Sequence, residues 1–151
     1  MLTVKGKIYN SPSFSSFPID KIDKSDIQIQ GLTGSLRSFF ISFLHEKLKR
    51  PIVFITSNSD SGEKVYADLS QILPDKKINF FPSTEQIPFD EKRPNPSVLK
   101  FKMEGLQNLA FTEQNISIIT EKELILKTIS PEDFSDRQIF LEKGKEFQFE
   151  K

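Results

Sequence analysis

Apolar residues along this chain alternate between runs spaced like buried strands and runs spaced like amphipathic helices. Three short apolar runs cover residues 52–55, 78–81 and 116–119, and residues 26–30 (DIQIQ) alternate apolar with polar side chains. Runs of this length, bounded by proline, serine, asparagine or glycine, predict β-strands. We expect the run at residues 52–55 (IVFI), which is continuously apolar, to be buried on both faces of a sheet.

Between these runs the apolar spacing becomes that of one helix face. The first predicted helix starts at Leu36 and ends before Pro51, and the second ends at Pro74, because proline cannot continue a helix. The inward face of a third predicted helix carries Leu99, Met103, Leu106 and Ala110.

The sequence also predicts caps for two helices and an exposed position for the histidine. Asp60 is a plausible N-terminal cap for the second helix, and Thr120 with Glu123 forms a T-x-x-E capping box for a short helix that ends near Lys127. His45 lies off the apolar stripe of the first helix, and we expect it to be exposed.

The strand and helix signals alternate at least four times, which predicts an α/β fold. The expected architecture is a mostly parallel sheet with helices on both faces, right-handed crossovers and functional loops at the carboxyl ends of the strands. This domain covers residues 26–137. Residues 1–25 predict a loose N-terminal arm that docks a few aromatic side chains on the body.

Residues 138–151 have a different pattern, which predicts a hairpin rather than another strand and helix unit. Residues 138–141 and 146–149 alternate around a turn at Glu142–Gly144, and Phe147 and Phe149 share one face. We therefore interpret these residues as the start of a following domain, and the chain as a piece of a longer protein.

Composition removes many functional classes. The 151 residues contain 21 basic and 21 acidic side chains, no cysteine and one histidine. Zero net charge does not favour non-specific nucleic-acid binding, and the absence of cysteine excludes disulfides, a thiolate nucleophile and thiolate metal sites. The N-terminus lacks a signal-peptide core and no apolar run is long enough to span a membrane, so a cytoplasmic protein without a membrane partner is expected.

One motif bears on chemistry. The sequence from Gly31 to Ser38 (GLTGSLRS) lies between a predicted strand and a predicted helix, which is the setting of a phosphate-binding loop. A working loop reads G-x-x-x-x-G-K-[ST], in which the lysine reaches the phosphates and the hydroxyl holds magnesium. Here Leu36 replaces the second glycine and Arg37 the lysine, while Ser38 keeps the hydroxyl.

The alternative is that GLTGS is a tight turn that needs two glycines and is capped by Thr33 or Ser35. No apolar strand ends in Asp-Glu to hold magnesium, and Glu121 is better explained by the capping box beside it. The sequence therefore predicts no catalytic residue and no metal site, and we do not expect ATP hydrolysis by this chain.

Three segments together resemble a known family. They are residues 27–38 (IQIQGLTGSLRS), 50–56 (RPIVFIT) and 81–109, the last opening with FPSTEQIPFDEKRPNP. In this order and spacing they resemble the N-terminal region of bacterial transcription-repair coupling factor, itself similar to the first domain of the excision-repair subunit UvrB. The resemblance covers residues 26–151. Its most specific motif residues are Phe81, Pro82, Glu85, Pro88, Phe89, Asp90 and Pro94.

The chain departs from the family pattern at a few positions. Thr84 stands where tryptophan is common, Phe89 replaces tyrosine, and Lys102 lies where arginine is common. The loss of the tryptophan puts in doubt any surface contact that relied on it.

The resemblance implies a degenerate P-loop domain of RecA-like and UvrB-like type. Its vestigial phosphate loop would comprise Gly31, Thr33, Gly34, Ser35, Arg37 and Ser38, and it would bind no cofactor. The family's complete protein is an ATP-driven DNA translocase that uses magnesium and ATP in its motor, displaces stalled RNA polymerase and recruits UvrA. Most UvrA contacts belong to the small domain expected to begin at Phe140, so UvrA binding by this chain is expected to be weak or absent.

Two other functions stay open on the sequence. One is a nucleotide-binding switch, in which GLTGSLRS still holds phosphate through backbone N–H groups. The other is a nucleic-acid-binding remnant of a helicase domain, with a small basic patch at Lys92, Arg93, Lys100 and Lys102. The proline-rich residues 82–96 are either a solvated loop over the strand ends or an inter-domain contact.

Overall fold

A three-stranded parallel sheet forms the centre of the molecule in a computed structural model, which describes residues 3–83, 95–137, 139 and 143–144. The strands are β1 (Ile52–Thr56), β2 (Ile78–Phe81) and β3 (Ile116–Thr120), in the spatial order β1-β3-β2. β3 pairs with both neighbours in parallel, with Ile116 opposite Ile52 and Ile78. This confirms the predicted α/β class and parallel sheet.

Seven helices surround the sheet in the described residues. They are α1 (Val4–Tyr9), α2 (Pro12–Ser15), α3 (Leu36–Leu48), α4 (Ser59–Ile72), α5 (Pro96–Phe111), α6 (Glu121–Leu124) and α7 (Pro131–Asp136). α4 connects β1 to β2 and α5 connects β2 to β3, so the two crossovers run in opposite directions across the sheet. Crossovers of one handedness then place the two helices on opposite faces.

The side chains confirm this arrangement. On one face, Val65 and Leu69 of α4 pack with Ile116 and Ile118 of β3 in a cluster that also includes Phe80. On the other face, the Asn108 amide of α5 donates a 2.9 Å hydrogen bond to Asn79 of β2. The prediction of helices on both faces is therefore confirmed.

A second core lies on the outer side of α3 and is mostly aromatic. Phe40 and Phe43 of α3 pack around Phe14 of α2, and all three are buried. The rings of Phe14 and Phe43 meet edge to face with centroids 5.3 Å apart, a favourable aromatic geometry. α3 is thus buried on two sides, because Ile41 packs in the sheet core.

Residues 3–25 form α1, α2 and a 3₁₀ turn at Ile19–Lys21 that lie against α3. Beyond the aromatic contacts, Lys5 forms an ion pair with Glu46 and the Tyr9 hydroxyl is hydrogen-bonded to Ser42. Burial raises the pKa of Tyr9 to about 12, so its phenol stays protonated at neutral pH. The docking of aromatic residues matches the sequence interpretation, whereas the helical turns were not predicted.

Two predictions about strands were wrong. Residues 26–30 form no strand, although their side chains alternate. β1 is not buried on both faces, since Val53 is 60% and Ile55 51% exposed. The second difference arises because β1 lies at the edge of the sheet in the described residues, while α5 packs over β2 at the other edge.

The predicted inward face of α5 was also wrong. Of its four residues Leu99 and Met103 are exposed and only Leu106 and Ala110 are half-buried, whereas Gly105 is buried and lies directly against the ring of Phe81. Phe101 packs against Phe80 and Tyr66. The face that packs is therefore set by the close approach that glycine permits and by an aromatic contact, not by the aliphatic stripe.

The remaining predictions concern caps and the C-terminal residues. Asn58, not Asp60, caps α4 by accepting from the Ser61 N–H, and α6 ends at Leu124 rather than near Lys127. Thr120 caps α6 by accepting from the Glu123 N–H, which is one half of the predicted capping box, whereas the Glu123 carboxylate pairs with Lys102 instead of completing it. The predicted hairpin strands at 138–141 and 146–149 lie almost wholly outside the described residues. None of the helices that the structure describes has the length and apolar character to cross a membrane.

Candidate functional site

The glycine turn before α3 has the backbone shape that the sequence predicts. Gly31 and Gly34 have φ angles of 82° and 53°, a left-handed conformation that side chains other than glycine rarely adopt. The Thr33 N–H donates to the Gly31 carbonyl, and the Leu36 N–H donates to the Thr33 carbonyl. Ser35 is the N-cap residue of α3 but makes no side-chain cap bond. The turn thus depends on its two glycines, and of the two caps considered, Thr33 or Ser35, the one by Ser35 is wrong.

Ser38, the residue in the magnesium-binding position of the motif, faces the protein interior. Its side chain is fully buried, and its hydroxyl donates a 3.0 Å hydrogen bond to a carboxylate oxygen of Asp68 on α4. Thirty residues separate the two along the chain, so no local sequence pattern predicts this contact. The hydroxyl joins two helices and does not face the turn's solvent side.

The two residues before Ser38, Leu36 and Arg37, also differ from the glycine and lysine of a phosphate-binding loop. Leu36 is half-buried and packs against the aromatic cluster around Phe14. Arg37 is exposed, and its planar guanidinium does not reproduce the compact charge of the lysine ammonium.

Two side chains of this loop already have partners within the fold. Binding through this loop requires a glycine where Leu36 packs into the core, and a free hydroxyl where Ser38 already donates to Asp68. Turning either side chain toward a phosphate would break an interior contact. The turn is built as a structural link between the N-terminal residues and α3.

The second predicted site is the loop that begins with Phe81 and Pro82. Both residues are buried, with the Phe81 ring under Gly105 of α5. Just after them, the Ser83 N–H donates to the Ser59 hydroxyl, at 3.1 Å, and the two hydroxyls lie 2.9 Å apart. The other motif residues, Glu85, Pro88, Phe89, Asp90 and Pro94, lie outside the described residues. The structure thus anchors the start of the loop at the carboxyl edge of the sheet.

A set of hydroxyl side chains at this edge was not singled out by the sequence reading. Thr56 ends β1 and Thr120 ends β3, and both are buried; Ser59 and Ser83 meet between α4 and the end of β2. The available signal was a threonine or serine within two residues of the end of each apolar run. These hydroxyls cap helices and fix loops, and they offer no acid or base.

Lys102, which the sequence reading placed in a basic patch, is committed to an internal ion pair. Its ammonium lies 2.5 Å from a carboxylate oxygen of Glu123, and both side chains are largely buried at 19% and 12% exposure. Lys100 lies 3.7 Å from Glu104 on the same helix, and Lys92 and Arg93 fall outside the described residues. The ion pair fixes α6 against α5 and weakens the case for a nucleic-acid surface.

His45 is the clearest wrong prediction on α3, because it is buried rather than exposed, at 3%. Neither ring nitrogen has a hydrogen-bond partner among the described residues. Burial lowers the pKa of His45, and the nearby charge of Lys76 lowers it further, while Glu46 acts in the opposite direction. The neutral imidazole is therefore the form that the folded chain favours.

This burial predicts a loss of stability on mild acidification. The unfolded chain takes up a proton at His45 near pH 6.5, whereas the folded chain resists protonation, so the free energy of unfolding falls as the pH drops below that value. His45 is the only histidine in the chain. Urea unfolding between about pH 7.5 and about pH 5.5 checks this, and a His45→Leu variant should lose the pH dependence. Equal pH dependence in both proteins would contradict it.

No metal centre is found in the part of the chain that the structure describes. No group of three or more histidine, aspartate or glutamate side chains lies close enough there to hold an ion. The geometry of the described residues offers mainly packing contacts and helix caps.

Comparison with known proteins identifies relatives among DNA-repair factors. The chain is 32% identical to a transcription-repair-coupling factor of Rickettsia bellii over 106 residues, which are 70% of this chain and 10% of that protein. It is 26% identical to the transcription-repair-coupling factor of Bacillus subtilis over 121 residues, 80% of this chain and 10% of that protein. It is 23% identical to UvrABC system protein B of Bifidobacterium longum over 136 residues, 82% of this chain and 19% of that protein.

The chain thus spans a tenth to a fifth of the length of these curated relatives. No family model matches the chain, and no solved structure matches it. The relatives of both kinds align with most of the chain. The chain therefore belongs to the family of the UvrB-like N-terminal region of transcription-repair coupling factor.

Proposed function

We propose that this chain is a non-catalytic scaffold module of a transcription-repair coupling protein. The observation that carries the proposal is the buried hydrogen bond from Ser38 to Asp68, which turns the last recognisable phosphate-loop residue into a helix-packing contact. The packing of Leu36 in the aromatic cluster supports the same conclusion. A domain that keeps the α/β frame but uses its loop residues for packing is suited to holding other parts of a protein in place.

The complete protein is proposed to be an ATP-dependent DNA translocase that releases stalled RNA polymerase. Its ATP and magnesium would bind to a motor elsewhere, so this module needs no cofactor. The relatives are named as a coupling factor and as a component of the UvrABC system, which supports a role beside UvrA, RNA polymerase and DNA. The module would support the UvrA-recruiting surface and its masking by other domains of the same protein.

The loop that starts at Phe81 and Pro82 is the proposed inter-domain contact. Its first residues are held rigidly, because Phe81 is buried against α5 and Ser83 is tied to Ser59 of α4. A contact loop with a fixed root loses less conformational freedom on docking than one with a mobile root. This gives the family-motif residues a positioning role without any catalytic one.

Titration with nucleotide tests the proposal. The melting temperature of the purified chain is expected to be unchanged by millimolar magnesium ATP or ADP, because the loop lacks the groups that bind phosphate. A ligand at a hundred times its dissociation constant would add about 2.7 kcal/mol of stability, which is a clear shift. A Gly34→Val variant is the matched control: it is expected to melt at a lower temperature because Gly34 has a φ of 53°, and nucleotide should not shift it either.

A nucleotide-dependent shift in the natural chain that Gly34→Val abolishes would overturn the scaffold proposal. It would establish instead that GLTGSLRS is a nucleotide-binding switch that holds phosphate through backbone N–H groups. Binding of a DNA duplex that weakens steeply with added salt would favour the remaining alternative, a nucleic-acid-binding remnant.

A further inference from the structure

The outer edge of β1 is uncovered in the described part of the molecule. β1 pairs with β3 on one side, and no described strand pairs with it on the other. α5 packs on one face of the sheet over β2 but does not cover β1, and on that face Val53 is 60% and Ile55 51% exposed. Unpaired backbone groups beside exposed β-branched side chains form a template for another strand.

The direction of the backbone groups on β1 follows from one hydrogen bond. The Ile52 N–H donates to the Asn115 carbonyl at 3.0 Å, so Ile52 faces β3. Backbone groups of successive residues point to alternate sides of a strand, so Phe54 and Thr56 also face β3. Val53 and Ile55 then direct their N–H and C=O groups to the open edge.

This edge lacks the features by which proteins usually protect an edge strand. Residues 51–59 contain no charged side chain, and the strand itself reads IVFIT. Natural edge strands commonly carry lysine, a bulge or an inward-pointing charge. Pro51 lies before the strand and does not interrupt it.

We infer that β1 is a self-pairing interface, through which two copies of this chain join as antiparallel strands to form a continuous six-stranded sheet. With Phe54 on the two-fold axis, Val53 of one copy lies opposite Ile55 of the other. Because the backbone groups of both residues point to the shared edge, Val53 and the opposite Ile55 donate to each other and accept from each other. The four donors and acceptors that each edge presents are then all satisfied in one register.

Side chains and charges support the same register. Val53 and Ile55 lie on one face of β1, where α5 does not cover them. Pairing therefore brings four β-branched side chains together on that face. Each strand follows Lys49 and precedes Asp60, while the intervening Arg50 is paired with Asp23 of the same chain. Antiparallel pairing places the basic start of one strand near the acidic end of its partner, whereas parallel pairing would place like charges together.

A second copy suits this edge better than the other described candidate. Residues 26–30 (DIQIQ) belong to no helix or strand in the structure, and their alternate side chains are polar, so they match the apolar side chains of Val53 and Ile55 less well than a second β1 does. The interface is also isologous, since the same two residues supply both halves, as expected for a two-fold dimer. The inference is independent of the proposed scaffold function, because it involves neither the glycine turn nor the loop at Phe81.

Sedimentation velocity of the full chain from about 1 µM to about 200 µM tests the inference. We expect a concentration-dependent dimer. Val53→Lys should weaken self-association about tenfold or more by placing two lysines in the paired strands. The matched control is Leu109→Lys, which places the same charge at a similarly exposed apolar residue of α5 and should leave self-association unchanged.

Cross-linking tests the register. The chain has no cysteine, so Val53→Cys and Ile55→Cys proteins can be mixed and oxidised. The mixture should form more disulfide-linked dimer than either variant alone, because only unlike cysteines lie directly opposite. A monomer at every concentration, or equal weakening by Val53→Lys and Leu109→Lys, would overturn the inference. So would a monomer whose Val53 and Ile55 amides resist hydrogen exchange, since the chain's own residues would then close the edge.

Discussion

Replacing Phe14 by alanine is expected to lower the free energy of unfolding by about 3–5 kcal/mol, the usual cost of truncating a buried phenylalanine. Phe14 is 4% exposed and contacts Phe40 and Phe43 of α3. The truncation leaves a cavity between α2 and α3 that these rings cannot fill without giving up their edge-to-face geometry. An effect of this size means that residues 3–25 are a structural part of the domain.

Urea unfolding of the two proteins measures this difference. Phe111→Ala is the matched control, because Phe111 is 61% exposed at the end of α5, and its truncation should cost less than about 0.5 kcal/mol. If Phe14→Ala unfolds like the natural chain, the N-terminal residues do not contribute to the stability of the fold. Equal losses in both variants would indicate a general sensitivity to aromatic truncation.

The aromatic core around α3 shows where sequence reasoning succeeds and where it stops. The spacing from Leu36 predicted α3 and its apolar stripe, and Phe14 was expected to dock on the body. The spacing did not show that α3 is packed on two sides, so His45 was assigned to solvent. A helix that lies between two cores buries positions off its main stripe, and only the partner elements reveal this.

The strand predictions were also partly right and partly wrong. Short apolar-rich runs correctly located β1, β2 and β3, of which only residues 52–55 are continuously apolar, because such a run bounded by turn residues is typical of a strand in a parallel sheet. Alternation alone misassigned residues 26–30. A strand exists only when a neighbour accepts its backbone hydrogen bonds, and no local pattern reports whether that neighbour is present.

The sequence predicted the backbone conformation of the glycine turn but not the side-chain contacts around it. Two glycines at the start of α3 predicted a tight turn, and both have the positive φ that such a turn requires. The replacement of glycine by Leu36 correctly indicated a core side chain. The bond from Ser38 to Asp68 joins residues thirty positions apart, so it depends on how α3 and α4 pack and has no signature in the sequence.

The packing of α5 on β2 makes Gly105→Val the other large expected change. A β-carbon added at Gly105 would lie 2.6 Å from the tip of the Phe81 ring, well inside van der Waals contact. Phe81 is 6% exposed, so its ring cannot swing into solvent, and the helix has to move away from the strand. Overpacking of this kind costs about 3 kcal/mol. Because Phe81 begins the family-motif loop, the same movement would shift the root of the proposed inter-domain contact.

Denaturation of a set of α5 variants tests this account. Gln107→Val changes an exposed residue on the same helix, so it carries the β-branched helix penalty without the clash and should cost well under about 1 kcal/mol. Combining Gly105→Val with Phe81→Ala removes the ring that the new side chain meets. The double variant should therefore be more stable than the sum of the single losses predicts, by about 1–3 kcal/mol of coupling. Strict additivity would mean that Gly105 is required for a reason other than its contact with Phe81, and the rigid root proposed for the loop would lose its support.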